Sequence, residues 1–181
     1  MTNSAATSAP DTGSGARGAA ICDTTAAPFT PETLTAYLHD HIPLTGAMAL
    51  TATAVSWTRV DLHAAIGPNL NHNRTAFGGS LASALTMAGW SMVHNRLRTC
   101  GFYARNPRTQ LVVSRSETRY LHPTAEDFTV TCEYDDPKAW DHFIELLTRK
   151  GRGKLRLTAY AGPEKKPLCI FKAAYVAIAD A

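Results

Sequence analysis

Apolar positions recur along this chain with two periods, and each switch between the periods marks an element boundary. Leu34, Tyr37, Leu38 and His41 follow one another at helical spacing. Thr30 supplies a cap for that helix, Pro31 its first position, and Pro43 stops it. Residues 47–56 and 59–66 then read as strands. In the second, Val60, Leu62, Ala64 and Ile66 alternate with Asp61, His63 and Ala65, which separates a core-facing side from a wetter one. Pro68 closes that strand. From about Phe77 to about Arg98 the spacing predicts one long helix, apolar nearly all round through Met87, Ala88 and Trp90, and such a helix is surrounded by other structure. Its later part, His94-Asn95-Arg96-Leu97-Arg98, reads as emerging into solvent, with cations where the helix dipole favours them.

Residues 110–121 and 126–134 read as two more strands, with a turn at Pro123-Thr124-Ala125-Glu126-Asp127 between them. Asp135-Asp136-Pro137 opens a short amphipathic helix that lines up Trp140, Phe143, Ile144 and Leu147 and ends at Gly151. Strands at about 153–161 and 167–178 complete the pattern. Six strands around one long apolar helix predict an α+β fold: an antiparallel six-stranded sheet wrapped around a central helix, with an extra short helix between strands 4 and 5. No internal repeat is visible.

Composition narrows the classes. The 181 residues fit one domain, taken as 29–181, preceded by a tail, 1–28, of Ala, Thr, Ser, Gly and Pro that is expected to be disordered. That tail lacks the apolar segment of a signal peptide, and Asp11 and Asp23 interrupt any transit-peptide pattern. No apolar run approaches the roughly 20 residues that span a bilayer, so no membrane insertion is expected. The net charge of +3 gives no concentrated basic face for nucleic acid but leaves room for an anionic small ligand. Cys22, Cys100, Cys132 and Cys169 are scattered without zinc or disulfide spacing, so neither metal nor disulfide framework is expected, and a reducing cytoplasm is.

Candidate chemistry concentrates in Asn71-His72-Asn73-Arg74-Thr75-Ala76-Phe77-Gly78-Gly79-Ser80, immediately before and into the long helix. The first amides of a helix have no internal partner and sit at a dipole end worth about half an elementary charge. Glycine lets a carbonyl approach such amides without a Cβ in the way. A turn of this kind binds a phosphate or stabilises an oxyanion. It has neither the Gly-Lys-Ser/Thr ending nor the GxGxxG spacing of a nucleotide loop. Tight packing of the helix on the sheet accounts for the same two glycines.

The element order, with Gly-Gly opening the central helix, resembles the hotdog fold of acyl-thioester enzymes. More narrowly, Ile42-Pro43-Leu44-Thr45, Asn71-His72, Thr75-Ala76-Phe77-Gly78-Gly79-Ser80-Leu81 and Arg119-Tyr120-Leu121-His122-Pro123 resemble the thioesterase family known as the C-terminal domain of bacterial YiiD proteins. The likeness runs from about Thr30 onward and takes in the Trp140 helix and Lys172-Ala173-Ala174-Tyr175-Val176-Ala177. It implies an acyl-CoA or acyl-carrier-protein thioester as substrate, a homodimer or dimer of dimers with each site between two subunits, and no metal or cofactor. In the phenylacetyl-CoA-type hotdog thioesterases an Asn precedes the second glycine by eight residues and an Asp follows it by seven. Asn71 matches the first; Thr86 stands in place of the second, and the helix from Ser80 to Leu97 has no carboxylate.

The expected mechanism is therefore attack by a positioned water. The Gly79 N–H holds the thioester oxygen, Asn71 orients the water or the carbonyl, and Thr86 holds the water from the helix side. Thr75, Phe77, Gly78 and Ser80 are the expected substrate contacts. Each role has a plain structural counterpart. Asn71 caps loops readily, and a helical Thr bonds the carbonyl four residues back. His72 is either a base or a loop brace, and Glu117 is either a base across the dimer or, preferably, the ion-pair partner of Arg115 or Arg119. Arg105, Arg108, Arg149, Lys150, Arg152 and Lys154 are candidates for coenzyme A phosphates, although solvated charge explains most of them. The rival functions are a non-catalytic acyl-CoA or acyl-carrier-protein binding protein and a hotdog dehydratase. The dehydratase lacks support, because its His-Phe-Pro-Gly loop is absent.

Overall fold

Thr30 accepts a hydrogen bond from the Thr33 amide and starts α1, Pro31–His41, which buries Leu34 and Leu38. Pro43 ends it and begins the single turn α2, Pro43–Ala47, which overlaps the predicted strand at Ala47 alone. The structure, a computed structural model, describes residues 27–179. The tail expected at 1–28 thus lies outside the described residues up to position 26. β1 is Leu50–Val55 and β2 is Arg59–Ala64, in which Val60, Leu62 and Ala64 are the buried alternate positions. After a 3₁₀ turn at Gly67–Asn69 comes α3, Gly78–Thr99, and then the short α4, Phe102–Arg105. β3 (Gln110–Tyr120), β4 (Phe128–Glu133), α5 (Pro137–Lys150), β5 (Arg152–Ala161) and β6 (Cys169–Ile178) follow. The 3₁₀ turn, α2 and α4 are too short for periodicity to reveal them.

The six strands form one antiparallel sheet in the order β1-β2-β4-β5-β6-β3. Among the described residues β3 pairs only with β6 and is an edge strand, bulged between Val113 and Arg115. α3 lies across the sheet, in contact with β2 through β6. Leu81, Leu85, Ala88 and Met92 of the helix, and Leu62, Val130, Leu157 and Phe171 of the strands, are all buried. Each of the larger side chains contributes roughly 1.5–3 kcal/mol when removed from water. Close approach is set at Gly89, where a Cβ would fall 2.3 Å from the Tyr175 hydroxyl. That hydroxyl donates to the Thr86 carbonyl at 2.9 Å, so the buried phenol is satisfied and ties helix to sheet.

The second half of α3 differs from its sequence reading. Only Arg98 emerges into solvent; His94, Asn95, Arg96 and Leu97 are all buried, Arg96 with 2% of its surface exposed. The Arg96 guanidinium donates to the carbonyls of Trp57 (2.6 Å) and Tyr134 (2.9 Å) and lies 4.6, 4.7 and 5.1 Å from the rings of Trp57, Tyr134 and Trp140. The turn after β1, the end of β4 and the face of α5 supply this cage. A guanidinium is weakly hydrated and stacks on rings, which is why Arg can be taken inside here.

Candidate active site at the start of the long helix

The loop before α3 is built by its own side chains. Asn71 Oδ1 accepts from the amides of Asn73 (2.8 Å) and Thr75 (3.2 Å), while Nδ2 donates to Thr75 Oγ1 (3.0 Å) and the Ala76 carbonyl (3.4 Å). The Asn71 amide meanwhile donates to the Thr75 carbonyl at 2.8 Å. This is an Asx turn closed on itself, and it lets Arg74 adopt a left-handed φ of 61°. Asn69, buried and unnoticed in the sequence, anchors the loop: its Nδ2 donates to the carbonyls of Met48 (2.8 Å) and Ala65 (2.7 Å). Its carbonyl receives the Phe77 amide at 2.7 Å, and the Ala76 amide donates to the Thr124 carbonyl, also at 2.7 Å. The backbone is thus pinned on two sides just before the helix begins.

α3 starts with Phe77 as an extended N-cap that offers no side-chain hydrogen bond. The first helical bond runs from the Leu81 amide to the Phe77 carbonyl. The amides of Gly78, Gly79 and Ser80 precede it, and among the described residues no hydrogen bond occupies the Gly79 N–H. Two aromatic rings press on the glycines. A Cβ at Gly79 would lie 2.3 Å from the Phe77 ring, and one at Gly78 would lie 3.3 Å from the Tyr120 ring. The Tyr120 hydroxyl donates to the Gly78 carbonyl at 2.9 Å, and partial burial raises its pKa above the ordinary phenol value, which keeps the donor protonated. Phe77 and Tyr120 remain 54% and 55% exposed, so none of the described residues covers these two rings at the helix start.

The other expected residues fall around it unequally. Thr75 belongs to the Asx turn and is half-buried, and His72 is exposed on the same loop. Thr86 lies two turns further along α3, roughly 10 Å from Gly79. Its hydroxyl donates to the Ala82 carbonyl at 2.8 Å. Glu117 is directly opposite Lys172, which is opposite Thr158; that row is on the exposed face of the sheet, whereas Phe171, Ala173, Leu157 and Ala159 face the core. Glu117 and Gly79 are therefore on opposite sides of the sheet within one protomer. Lys154, Arg156, Lys172 and Arg115 share the Glu117 side and border a groove of about 630 Å³. Among the described residues no group of three His, Cys, Asp or Glu side chains is placed to hold a metal. Tyr120 is the contact that sequence reasoning missed, although it sits in the quoted Arg119–Pro123 stretch; its ring reaches α3 across 42 residues.

A family model described as "Putative thioesterase (yiiD_Cterm)" matches residues 31–179. No curated protein matches the sequence. Among solved structures, a protein of unknown function from Chlorobaculum tepidum is 27% identical, with a TM-score of 0.74, covering 83% of this chain and 98% of its own. A "putative thioesterase" from Shewanella oneidensis is 21% identical with a TM-score of 0.67, at 82% and 96% coverage. A thioesterase from Haemophilus influenzae is 12% identical with a TM-score of 0.63, at 84% and 93% coverage. The fold, a six-stranded antiparallel sheet around a long helix, is the one these thioesterases share.

Proposed function

Because the chain belongs to this thioesterase family, we propose that it hydrolyses an acyl thioester carried by coenzyme A or an acyl carrier protein, at the start of α3. The observation that carries the reading is the uncapped, unoccupied Gly79 amide on a rigidly pinned helix start. A thioester oxygen resting on that N–H meets a donor already oriented for the oxyanion. Water attacks the carbonyl carbon, the oxygen takes up negative charge against the amide, and collapse of the tetrahedral species expels the thiolate. The acid and, after protonation, the free thiol leave. Asn71 serves by holding the loop. His72, exposed on that loop, is the proposed acceptor of the water's proton, since α3 carries no carboxylate. Ser80 and Gly78 line the approach to the amide, and Thr86 Oγ1 retains lone pairs that can accept from a water further down the helix.

A homodimer completes the site in this reading. β3 has an unpaired edge, and Val112 on it is 45% exposed, which suits antiparallel pairing with a second copy. That pairing brings partner surface toward the uncovered rings of Phe77 and Tyr120. Among the described residues no helix is long and apolar enough to cross a membrane. The buried thiols of Cys132 and Cys169, neither in a disulfide, support a reaction in a reducing cytoplasm. The binding-only reading draws on one feature: no carboxylate lies on α3.

Purified protein incubated with a panel of acyl-CoAs and a thiol reagent separates the two, because hydrolysis releases free thiol whereas a binding protein gives saturable binding without release. Removing the donor tests the assignment. Proline is tolerated in the first helical turn but lacks the N–H, and Phe77→Ala makes room for its ring. The double variant Phe77→Ala, Gly79→Pro should lose about 10²–10³ in kcat relative to Phe77→Ala. Equal rates in the two would discard the oxyanion role of Gly79.

A further inference from the structure

The peptide unit that joins Gly78 to Gly79 carries the Gly79 N–H at one corner and the Gly78 carbonyl at the opposite one. A trans peptide is planar, so whatever fixes the carbonyl also fixes the direction of the N–H. In α3 this is the unit with no Cβ on either side, which leaves it the freest to rotate. The helix ladder offers the Ala82 amide to the Gly78 carbonyl. The Tyr120 hydroxyl donates to the same carbonyl at 2.9 Å. The Tyr120 ring also lies against Gly78, where a Cβ would be 3.3 Å from it, so ring and hydroxyl hold the unit from outside the helix.

Burial does not demand this bond. Tyr120 is half-exposed, and water satisfies a hydroxyl in that position. Tyr175 is the opposite case: it is fully buried, its hydroxyl must find an acceptor, and it takes the Thr86 carbonyl. The amide that shares a peptide unit with that carbonyl is Met87's, already engaged in the helix ladder. The amide that shares a unit with Tyr120's acceptor is Gly79's, which has no partner among the described residues. A donor on a carbonyl draws electron density through the amide resonance and makes the N–H across the unit a stronger donor in turn. We propose that Tyr120 is a positioning residue for the oxyanion: through the Gly78–Gly79 peptide its hydroxyl aims and strengthens the Gly79 N–H. The phenol keeps its proton throughout. Its effect grows as the thioester oxygen gains charge, and so it belongs to the transition state more than to the bound substrate. The assignment rests on the thioesterase reading above and adds a residue to that site.

Tyr120→Phe removes the hydroxyl and keeps the ring. Linked hydrogen bonds strengthen one another by about 10–30%. Applied to a donor worth about 10²–10³ in rate, that predicts a fall in kcat of about two- to eightfold. KM and the melting curve of the full-length protein should not move. The effect must also run through the Gly79 N–H. Added to Phe77→Ala, Tyr120→Phe should cost the full factor; added to Phe77→Ala, Gly79→Pro, which has no N–H to aim, it should cost nothing more. An equal loss in both backgrounds, or no loss in either, overturns the assignment and leaves the Gly79 donor standing. A readout without turnover separates this from the thioesterase reading itself. In nuclear magnetic resonance spectra of protein carrying isotopically labelled glycine, Tyr120→Phe should shift the Gly79 amide nitrogen upfield and leave those of Gly151 and Gly153 in place. Such a shift in a protein that hydrolyses no thioester would retain the coupling and discard the catalysis. A Gly79 resonance that stays where it was overturns the coupling whatever the activity.

Discussion

The two ends of α3 solve the problem of polar groups on a helix in opposite ways. At the start, the Gly79 amide has no hydrogen-bond partner among the described residues, and the half-exposed rings of Phe77 and Tyr120 flank it. Seventeen residues on, a full positive charge is buried, and Arg96 is held by two carbonyls and three aromatic rings. An exposed orphan amide costs little, since water satisfies it until a ligand does. A buried charge is costly unless every feature of its cage is in place. The first end therefore carries chemistry at small cost to stability, and the second carries stability with no part in the chemistry.

The sharpest way to break this contrast is at Arg96. Arg96→Ala leaves the Trp57 and Tyr134 carbonyls without their donor and empties the cage, so unfolding free energy should fall by about 3–5 kcal/mol. Urea titration would show a lower midpoint at an unchanged slope. Arg96→Lys keeps the charge but loses the planar fork and the stacking, and it should recover less than half of that loss. If Arg96→Ala melts with wild type, the cage is ornamental.

A second large effect is pH dependence. Burial first, then the charges of Arg98 and His41, push the His94 pKa down from 6.5 to about 4. Phe29, Tyr37, Trp90 and Tyr103 are the remaining faces against it. The unfolded chain then binds a proton between pH 6.5 and 4 that the folded chain refuses, and stability falls with acidification across that window. The loss should approach about 3 kcal/mol at pH 4. Above pH 6.5 His94 contributes no slope. A His94→Gln variant should flatten this part of the stability–pH curve, and a curve of unchanged shape would show that His94 is not the titrating group.

These two ends were not equally legible in the sequence. The apolar stripe of α3, the alternation Val60-Leu62-Ala64 and the α5 face of Trp140, Phe143, Ile144 and Leu147 all have local periods, and the structure follows them. The Gly-Gly start was visible because an uncapped helix entry is itself a local pattern. Arg96 was misread because its cage comes from Trp57, Tyr134 and Trp140, each about 40 residues away, and charge by itself says solvent. Tyr120 and Asn69 likewise act through contacts 42 and 21 residues away in the chain. Glu117 shows how register decides. Residues two apart on a strand share a face, but the nearest neighbour is the one across the ladder, and here that is Lys172.

At the helix start the effects are smaller for folding and larger for rate. Asn71→Ala removes the Oδ1 acceptor of two amides and the Nδ2 group that makes two donations in the Asx turn and should cost about 1–2 kcal/mol, with kcat falling because the Gly79 amide loses its fixed direction. Asn71→Asp keeps a carboxylate oxygen to accept the Asn73 and Thr75 amides. If bracing is the role of Asn71, the Asp variant retains most of the wild-type rate; if Nδ2 touches the substrate, Asp and Ala are equally impaired. Rate measurements on the two variants, alongside their melting curves, distinguish the cases.

The smallest effect belongs to Thr86 and tests how far the functional end extends along α3. Its hydroxyl already donates to the Ala82 carbonyl, a bond that a helix does without at little cost, and its carbonyl, the group that receives Tyr175, survives any side-chain change. Thr86→Val should therefore alter stability by less than about 1 kcal/mol. The rate separates the ends of the helix more finely. If Thr86 holds a water from below, Val lowers kcat at least tenfold while Ser restores it. If the chemistry is confined to the first turn, Val and Ser both match wild type, and the active region of α3 ends within one turn of Gly79.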